Sequence, residues 1–274
     1  MGFVMVTKLT DEEEAEISAK ATKKEEAAEK AYDAVRSLPQ QGTNTRTAPA
    51  VLKRCGLFNA NDNRVARDCE HKARSYPVQS GGVVEYFGPE LRQDDDDVLA
   101  ELTHIRESAP PSAQTIGISP YTLLRYLGWA TGTKSVTHLR ECLDRLTGPT
   151  LCYKNAAGET QWKSVFIASI NTTEPQWRIA LSPMLIDMYQ SRATRWRHSV
   201  RVELDNGLPS WLYGFVCSHT NQLPYTLAML QKFSGSTAKK KEFGRQVRKA
   251  LKRIKAAEGI TGYGYERGKI QIQY

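Results

Sequence analysis

The stretch GSTAKKKEFGRQVRKALKRIKAAEGITGYGYERGKIQIQY, residues 235–274, contains all of the excess positive charge of this chain. It has eleven Lys or Arg against three Asp or Glu, a difference of +8, which is also the formal net charge of all 274 residues. The rest of the chain balances, with 27 basic and 27 acidic side chains. A basic excess confined to one segment favours a large polyanionic partner, and nucleic acid is the first candidate.

The first half of this stretch has the pattern of an amphipathic helix from Thr237 to Ala257. Its apolar residues recur at spacings of four, four and three, which places one stripe on one face: Phe243, Val247, Leu251 and Ile254. The lysines and arginines fall largely off that stripe. Residues 235–237 predict a turn and an N-cap, and Gly259 suits the left-handed position just past the helix end.

The second half predicts a β-hairpin with a basic tip. Ile260 to Tyr265 and Lys269 to Tyr274 alternate β-forming residues around 266–268. A preceding helix, Tyr225 to Phe233, joined through a turn at 234–236, completes a helix-turn-helix. This order is typical of a winged helix. The alternatives are a solvated face or a helix on an anionic membrane, but membrane helices concentrate Trp, Leu or Phe and this one has a single aromatic residue.

Composition narrows the class of protein. The length allows two ordinary domains and a tail, and 40% hydrophobic residues are enough for packed cores. No stretch approaches the roughly 20 apolar residues of a membrane span, and the acidic run after Val6 predicts that there is no signal peptide. The five cysteines lack CxxC spacing, which is typical of reduced thiols in a cytosol. Cys55, Cys69 and His71 have no fourth ligand at zinc-finger spacing. We therefore expect a cytoplasmic protein without metal or cofactor.

Three segments are predicted along the chain: a charged tail and linker over 1–50, a first domain over 51–190 and a second domain over 191–274. Thr10 to Leu38 has the pattern of a charged helix with a capping box. Its apolar residues are mostly Ala, so we expect it to be mobile or to order against a partner. Pro39 to Pro49 has the composition of a linker. Residues 51–79 have no decisive pattern and are expected to pack on the edge of the first domain.

The first domain repeats the order of elements of the second, so the predicted fold class is α+β, with two tandem winged-helix domains behind a flexible charged tail. Four consecutive carboxylates, Asp94 to Asp97, point in different directions around a helix, and we interpret them as structural. The predicted strands and helices are strand 82–87, helix 89–107, strand 115–118, helices 120–127 and 135–146, strands 150–154, 162–171 and 177–181 with a hairpin tip at 155–158, and helices 182–190 and 209–220.

Four arginines lie in the segment between the two domains: Arg192, Arg195, Arg197 and Arg201. They would lie near phosphate if both domains sat on one duplex. Contacts with helix ends and interdomain ion pairs are an equally consistent interpretation.

Three motifs resemble the TrfA-type plasmid replication initiators. The run GPELRQDD at 88–95 is similar to the family's GEELRQDD, with Pro89 in place of a Glu, a change compatible with a helix start. The motif LGW at 127–129 is similar to the end of the family's first helix in the helix-turn-helix, and ECLDRL at 141–146 to part of the second. The resemblance covers roughly residues 80–274. Only Leu57-Phe58 remains of a Gln-Leu-x-Leu-Phe segment, so contact with the sliding clamp has little support.

This resemblance implies a protein with two winged helices that binds directly repeated sites, the iterons, in a plasmid origin. It also implies opening of the adjacent AT-rich DNA and recruitment of the host replicative helicase, often with the host initiator. A switch between monomer and dimer is implied as well.

The residues themselves predict contacts with double-stranded DNA. Lys240, Lys241 and Arg245 lie on the early part of the second recognition helix, which is expected to enter a major groove. Phosphate contacts are expected further along that helix and at the wing, and binding should weaken steeply with salt. The remaining predicted DNA-binding residues are Lys239, Arg248, Lys249, Lys252, Arg267 and Lys269 in the second domain, and Lys134, Thr137, His138 and Arg140 in the first. The predicted recognition helix of the first domain also carries Glu141 and Asp144, so it should contribute less nonspecific affinity for DNA than that of the second domain.

Enzymatic interpretations have little support. The sequence lacks GxxxxGK[ST], and its five histidines never form the His-apolar-His pair of a nicking initiator. Tyr263 and Tyr265 are therefore expected to be wing residues rather than nucleophiles. Two other classes remain open: a transcriptional repressor that occupies an operator with the same helices, and a scaffold whose N-terminal helix docks a replication protein.

Overall fold

A computed structural model describes residues 44–273, except 63, 80, 111, 112, 114, 192, 220–223, 267 and 268, and except the side chains of 187, 189–191 and 266. The predicted helix Thr10–Leu38 lies outside these residues, as do Arg192 and Arg267. The described residues belong to one compact unit. None of their helices has the length and apolar character needed to cross a membrane.

The helices of the described part are α1 (Ala50–Lys53), α2 (Gln93–Ser108), α3 (Pro120–Tyr126), α4 (Thr133–Leu146), α5 (Pro183–Ser191), α6 (His198–Glu203), α7 (Leu208–Cys217), α8 (Leu227–Ser234) and α9 (Lys240–Ala256). Its strands are β1 (Thr45–Pro49), β2 (Phe58–Asn59), β3 (Lys72–Pro77), β4 (Val83–Gly88), β5 (Leu91–Arg92), β6 (Ile116–Ile118), β7 (Thr150–Lys154), β8 (Thr160–Ser164), β9 (Ile167–Asn171), β10 (Trp177–Leu181), β11 (Ala193–Arg197), β12 (Tyr225–Thr226), β13 (Gly262–Glu266) and β14 (Lys269–Gln273).

One order of elements occurs twice. In the first copy α2, β6, α3 and α4 precede the pair β9 and β10, and in the second α7, β12, α8 and α9 precede β13 and β14. The two three-stranded sheets have the matching orders β6-β10-β9 and β12-β14-β13, and every pair in them is antiparallel. The predicted duplication is therefore confirmed at the level of topology.

The hairpin of the first copy differs from the prediction. β7 and β8 do form a hairpin, but they join a four-stranded sheet of order β3-β4-β7-β8. The predicted single strand Trp162–Asn171 is wrong, because the chain leaves β8 at Ser164 and turns Phe166 into the core against Phe58, with ring centroids 5.7 Å apart. By topology, the hairpin of β9 and β10 is the counterpart of the hairpin of β13 and β14.

The predicted linker is also wrong over its last residues. Thr45–Pro49 is β1, which pairs antiparallel with β11 from Thr45↔Arg197 to Pro49↔Ala193. Arg46 is buried there, and its Nε donates to the Glu101 carboxylate at 2.6 Å. The end of the predicted linker thus forms a strand, β1, that packs on β11 in the segment between the two copies.

α2 begins at Gln93, four residues later than predicted. The peptide before it forms β5, which pairs in parallel with β2. The Asp95 carboxylate accepts a hydrogen bond from the Arg92 backbone N–H at 2.8 Å and so closes the first turn. Pro89 lies in the turn that precedes β5 and is not a helical residue.

The ends of α8 and α9 differ from the prediction as well. α8 begins at Leu227, since Tyr225 belongs to β12 and the Thr226 hydroxyl caps the helix by accepting from the Met229 N–H at 3.1 Å. α9 begins at Lys240, not Thr237. Glu258, with φ of 59°, takes the left-handed position predicted for Gly259. Gly259 serves close packing instead, because a Cβ there would lie 2.7 Å from Ile254.

Candidate nucleic-acid interface

α9 and its N-cap residue Lys239 carry nine exposed cations, and we call the seven that the sequence assigned to DNA binding the α9 cationic face: Lys239, Lys240, Lys241, Arg245, Arg248, Lys249 and Lys252. The opposite side of the helix packs against α7. The predicted apolar stripe from Phe243 to Ile254 is confirmed, since its four side chains have no exposed surface. The burial of that stripe fixes which residues face solvent.

Few carboxylates neutralise the α9 cationic face. Arg245 donates to the Glu242 carboxylate at 2.6 and 2.9 Å, an exposed pair that contributes little stability. Within the described part of the chain no carboxylate pairs with four of the lysines, Lys240, Lys241, Lys249 and Lys252. Their ammonium groups are therefore available to an external polyanion.

The hairpin of β13 and β14 lies beside this face. The Arg248 guanidinium is 5.8 Å from the ring centroid of Tyr265, and Tyr265 meets Tyr263 edge to face at 6.3 Å. Tyr265 remains 45% exposed, although the sequence predicted it only as a strand residue. Lys269 is exposed at the start of β14, while Arg267 lies outside the described residues. Helix and hairpin thus form one surface of cations and aromatic rings.

The predicted residues of the first copy lie together on the N-terminal half of α4, but two of them have partners inside the protein. The Arg140 guanidinium is 4.7 Å from the ring of buried Trp177 on β10. His138 places Nε2 3.1 Å from Asp94. Lys134 and Thr137 are exposed, and the Thr137 hydroxyl donates to the Thr133 carbonyl at 3.2 Å. The first copy therefore presents less available charge than the second.

The four consecutive carboxylates of α2 bind cations from four different segments, and we call this cluster the acidic hub. Asp94 and Asp95 have no exposed surface and share Arg67, at 2.8 Å from Asp94. Arg145 of α4 donates to Asp95 at 2.9 Å. The other ion pairs of the hub are Lys53 with Asp96 and Arg201 with Asp97. These pairs confirm the structural interpretation of the acidic run.

One group of possible metal ligands occurs in the described part of the chain. Ligand atoms of Asp94, His138 and Cys142 lie within 4.8 Å of one another. Arg145 already approaches Cys142 Sγ at 3.2 Å, so a further cation would be repelled. Burial, followed by the nearby carboxylates, raises the pKa of Cys142, which keeps it a thiol rather than the thiolate that a metal requires. The residues present fit an ion-pair cluster better than a metal site.

The arginines between the two copies have separate environments. Arg201 is buried and binds Asp97, so the ion-pair interpretation holds for it. Arg197 donates to the Glu258 carbonyl, and Arg195 is exposed on β11. Arg192 lies outside the described residues.

Residues 52–258 match the family described as replication initiator protein A. The chain belongs to this family of replication initiators. It is also similar to the plasmid replication initiator protein TrfA of Escherichia coli, with 28% identity over 101 residues, which are 37% of this chain and 26% of that protein. The match therefore spans about a quarter of the length of that curated relative.

The fold of this family member resembles solved structures of domains 2 and 3 of RctB. One has a TM-score of 0.57 and another 0.54, each at 12% identity over 82% of this chain and 97% of the other. At this identity the likeness concerns the fold alone. It supports a mixed helix and strand architecture that continues through both copies.

The motif that carried the resemblance in sequence lies inside the protein. Glu90, Arg92, Asp94 and Asp95 are all buried and form ion pairs with one another or with neighbouring segments. In this chain GPELRQDD therefore specifies internal packing, and the exposed cations of α9 lie outside the motif.

Proposed function

We propose that this chain is a plasmid replication initiator that binds double-stranded DNA through two winged helices, with the second copy providing most of the affinity. The observation that carries the proposal is the α9 cationic face, in which Lys240, Lys241, Lys249 and Lys252 pair with no carboxylate of the described residues. This face lies beside a hairpin with an exposed aromatic ring. An α-helix fits the major groove, and Lys or Arg near its start can pair with guanine.

The family supports origin repeats, the iterons, as the DNA. In this proposal the start of α9 reads bases, and its later cations together with Lys269 contact phosphate. Opening of the adjacent AT-rich DNA and recruitment of the host initiator and helicase complete the function, and self-association as a dimer belongs to the same proposal. No step requires a catalytic centre in this chain.

A binding experiment tests this function. The purified protein is titrated against DNA with directly repeated origin sites and against scrambled DNA at several salt concentrations, and permanganate footprinting follows the neighbouring AT-rich stretch. Preference for the repeats with new reactive thymines is the expected result. Specific binding without opening favours a transcriptional repressor or a need for host factors, and equal binding to both DNAs overturns the assignment of α9 as a recognition helix.

A further inference from the structure

The turn that leads into α9 is supported from a distant part of the chain. The N-cap residue Lys239 makes no capping hydrogen bond with its side chain. Two residues earlier, the Thr237 backbone N–H and hydroxyl both donate to the Asn61 side-chain oxygen, at 3.3 and 3.4 Å. Asn61 precedes Thr237 by 176 residues. A loop from the N-terminal side of the first copy therefore holds the entry to the candidate recognition helix of the second.

The same loop, residues 56–62, contacts the turn through its backbone, and we call it the bracing loop. The Ala60 N–H donates to the Ser234 carbonyl at 2.9 Å. Gly56 lies against Gly235, which has φ of 63°, and a Cβ on Gly56 would lie 3.0 Å from the Gly235 nitrogen. This close approach fixes the turn between α8 and α9 on the bracing loop.

A buried carboxylate holds the bracing loop in turn. Glu90 accepts from the Asn59 amide at 2.7 Å, from the Asn61 amide at 3.1 Å and from two nitrogens of Arg92 at 3.0 Å. Burial acts to raise the pKa of Glu90, but the hydrogen bonds, led by those of Arg92, lower it to about 2. Glu90 is therefore charged at neutral pH. Arg92 also donates to the Asp62 carbonyl at 3.0 Å.

We propose that Asn61 is a positioning residue for DNA recognition, because it links buried Glu90 to Thr237 and so sets the N-terminal turn of α9. That turn carries Lys240 and Lys241, the side chains assigned to base reading, and the inference rests on that proposed function. A buried anchor matters here because a displacement of about 1 Å is enough to lose a base contact while long phosphate-binding side chains adapt.

Two substitutions and one control test the inference. Asn61→Ala removes both hydrogen-bonding groups, and Asn61→Asp keeps an acceptor for Thr237 but places a second carboxylate beside charged Glu90. Asn155→Ala is the matched control. Asn155 makes a similar turn at the tip of the hairpin of β7 and β8, where its side chain accepts from the backbone N–H groups of Ala157 and Glu159 at 3.0 Å. The measurements are affinity for repeat and scrambled DNA, the salt slope, and amide exchange over residues 238–243 without DNA.

Both Asn61 variants should lose about tenfold in affinity for the repeats, the value of one good base contact, with affinity for scrambled DNA and the salt slope unchanged. Exchange over 238–243 should be faster, and Asn155→Ala should behave as the wild type. A parallel loss of both affinities in a variant that is still folded overturns the inference, as does unchanged discrimination between repeat and scrambled DNA. A wild-type protein without preference for repeats overturns the proposed function itself, which distinguishes the two failures. If Asn61→Ala unfolds early, the isosteric Asn61→Asp decides the question.

Discussion

His138 places its Nε2 3.1 Å from the carboxylate of Asp94, a side chain with no exposed surface. The same imidazole lies 5.2 Å from the Trp129 ring and has Nδ1 3.6 Å from Glu141. A side chain predicted to touch DNA therefore closes the acidic hub from the side of α4. This contact joins two helices of the first copy and makes their packing sensitive to pH.

The pH dependence has a definite sign. The hydrogen bond to Asp94, opposed by burial, raises the pKa of His138 above its ordinary value. The folded protein thus holds this proton more tightly than the unfolded chain, and the stabilisation is full below about pH 6.5 and is lost as the pH rises through the folded-state pKa. We expect His138→Gln to lower the free energy of unfolding by on the order of 0.5 kcal/mol more at acidic than at alkaline pH, a modest value because solvent screens the partly exposed ring.

Urea unfolding of wild type and His138→Gln at about pH 5.5 and about pH 8.5 measures this difference. The exposed His71, changed to Gln, is the control. An equal loss at both pH values would contradict the assignment of the stabilisation to the protonated ring.

We expect the α9 cationic face to determine how steeply DNA binding weakens with salt. Lys249→Ala and Lys252→Ala should each reduce the slope of log affinity against log salt by about 1, because each removes one phosphate contact. Lys163→Ala, an exposed lysine on β8, is the control and should leave the slope unchanged. Fluorescence anisotropy with origin DNA at several salt concentrations gives the slopes. Equal slopes for all four proteins would remove these lysines from the interface.

The ion pair between Arg201 and Asp97 connects α6 to α2, and both side chains are at most 15% exposed. Removal of one partner breaks this largely buried pair, which costs about 3–5 kcal/mol where the carboxylate is charged, and because burial raises the pKa of Asp97 to about 7 this holds above that pH. We expect Arg201→Ala and Asp97→Ala each to destabilise by this amount and the double variant to lose less than their sum. A double-mutant cycle by chemical denaturation measures the coupling, and simple additivity would show that the pair does not act as a unit.

Gly128 occupies the turn between α3 and α4 with φ of 70°, where a Cβ would lie 2.4 Å from Val202 of α6. Gly128→Ala should destabilise by about 1–3 kcal/mol, since both the left-handed backbone and the contact oppose it. Adding Val202→Ala should recover only the steric part. Gly264→Ala serves as control, because no atom of the described residues beyond its chain neighbours lies within 4 Å of the added Cβ and its φ is not positive. Thermal unfolding of the four proteins measures the effect, and a stable Gly128→Ala would contradict it.

The second copy could be predicted closely because its signals are local. The spacing from Phe243 to Ile254 defines the helix and its exposed face, and the alternation after Ile260 defines the hairpin. Errors there concern only the ends of helices. For example, Glu258 rather than Gly259 takes the left-handed conformation after α9, because Gly259 packs closely against Ile254.

The elements that sequence reasoning missed depend on distant partners. The sequence of β1 has no alternation of apolar and polar residues, and this strand forms because its backbone pairs with β11. The turn residues around Asn155 predict the hairpin of β7 and β8. The hairpin equivalent to that of the second copy, however, is formed by β9 and β10. The direction of the carboxylates from Asp94 to Asp97 could be inferred from helix geometry, but their partners could not. The sequence shows that residue 61 is an asparagine but does not indicate its contact with Thr237, which lies 176 residues later.

The bonds between the N-terminal loops and the second copy determine when folding can finish during synthesis. Arg54 donates to Ser218, 164 residues later, and at about 5–20 residues per second the ribosome needs on the order of ten seconds to supply that partner. The contacts of the bracing loop with Gly235 and Thr237 form later still, because those two residues are synthesised after Ser218. These contacts of the early chain therefore form only after the corresponding part of the second copy has been synthesised, and a chain that stops before α8 lacks the contacts of the bracing loop with the turn between α8 and α9.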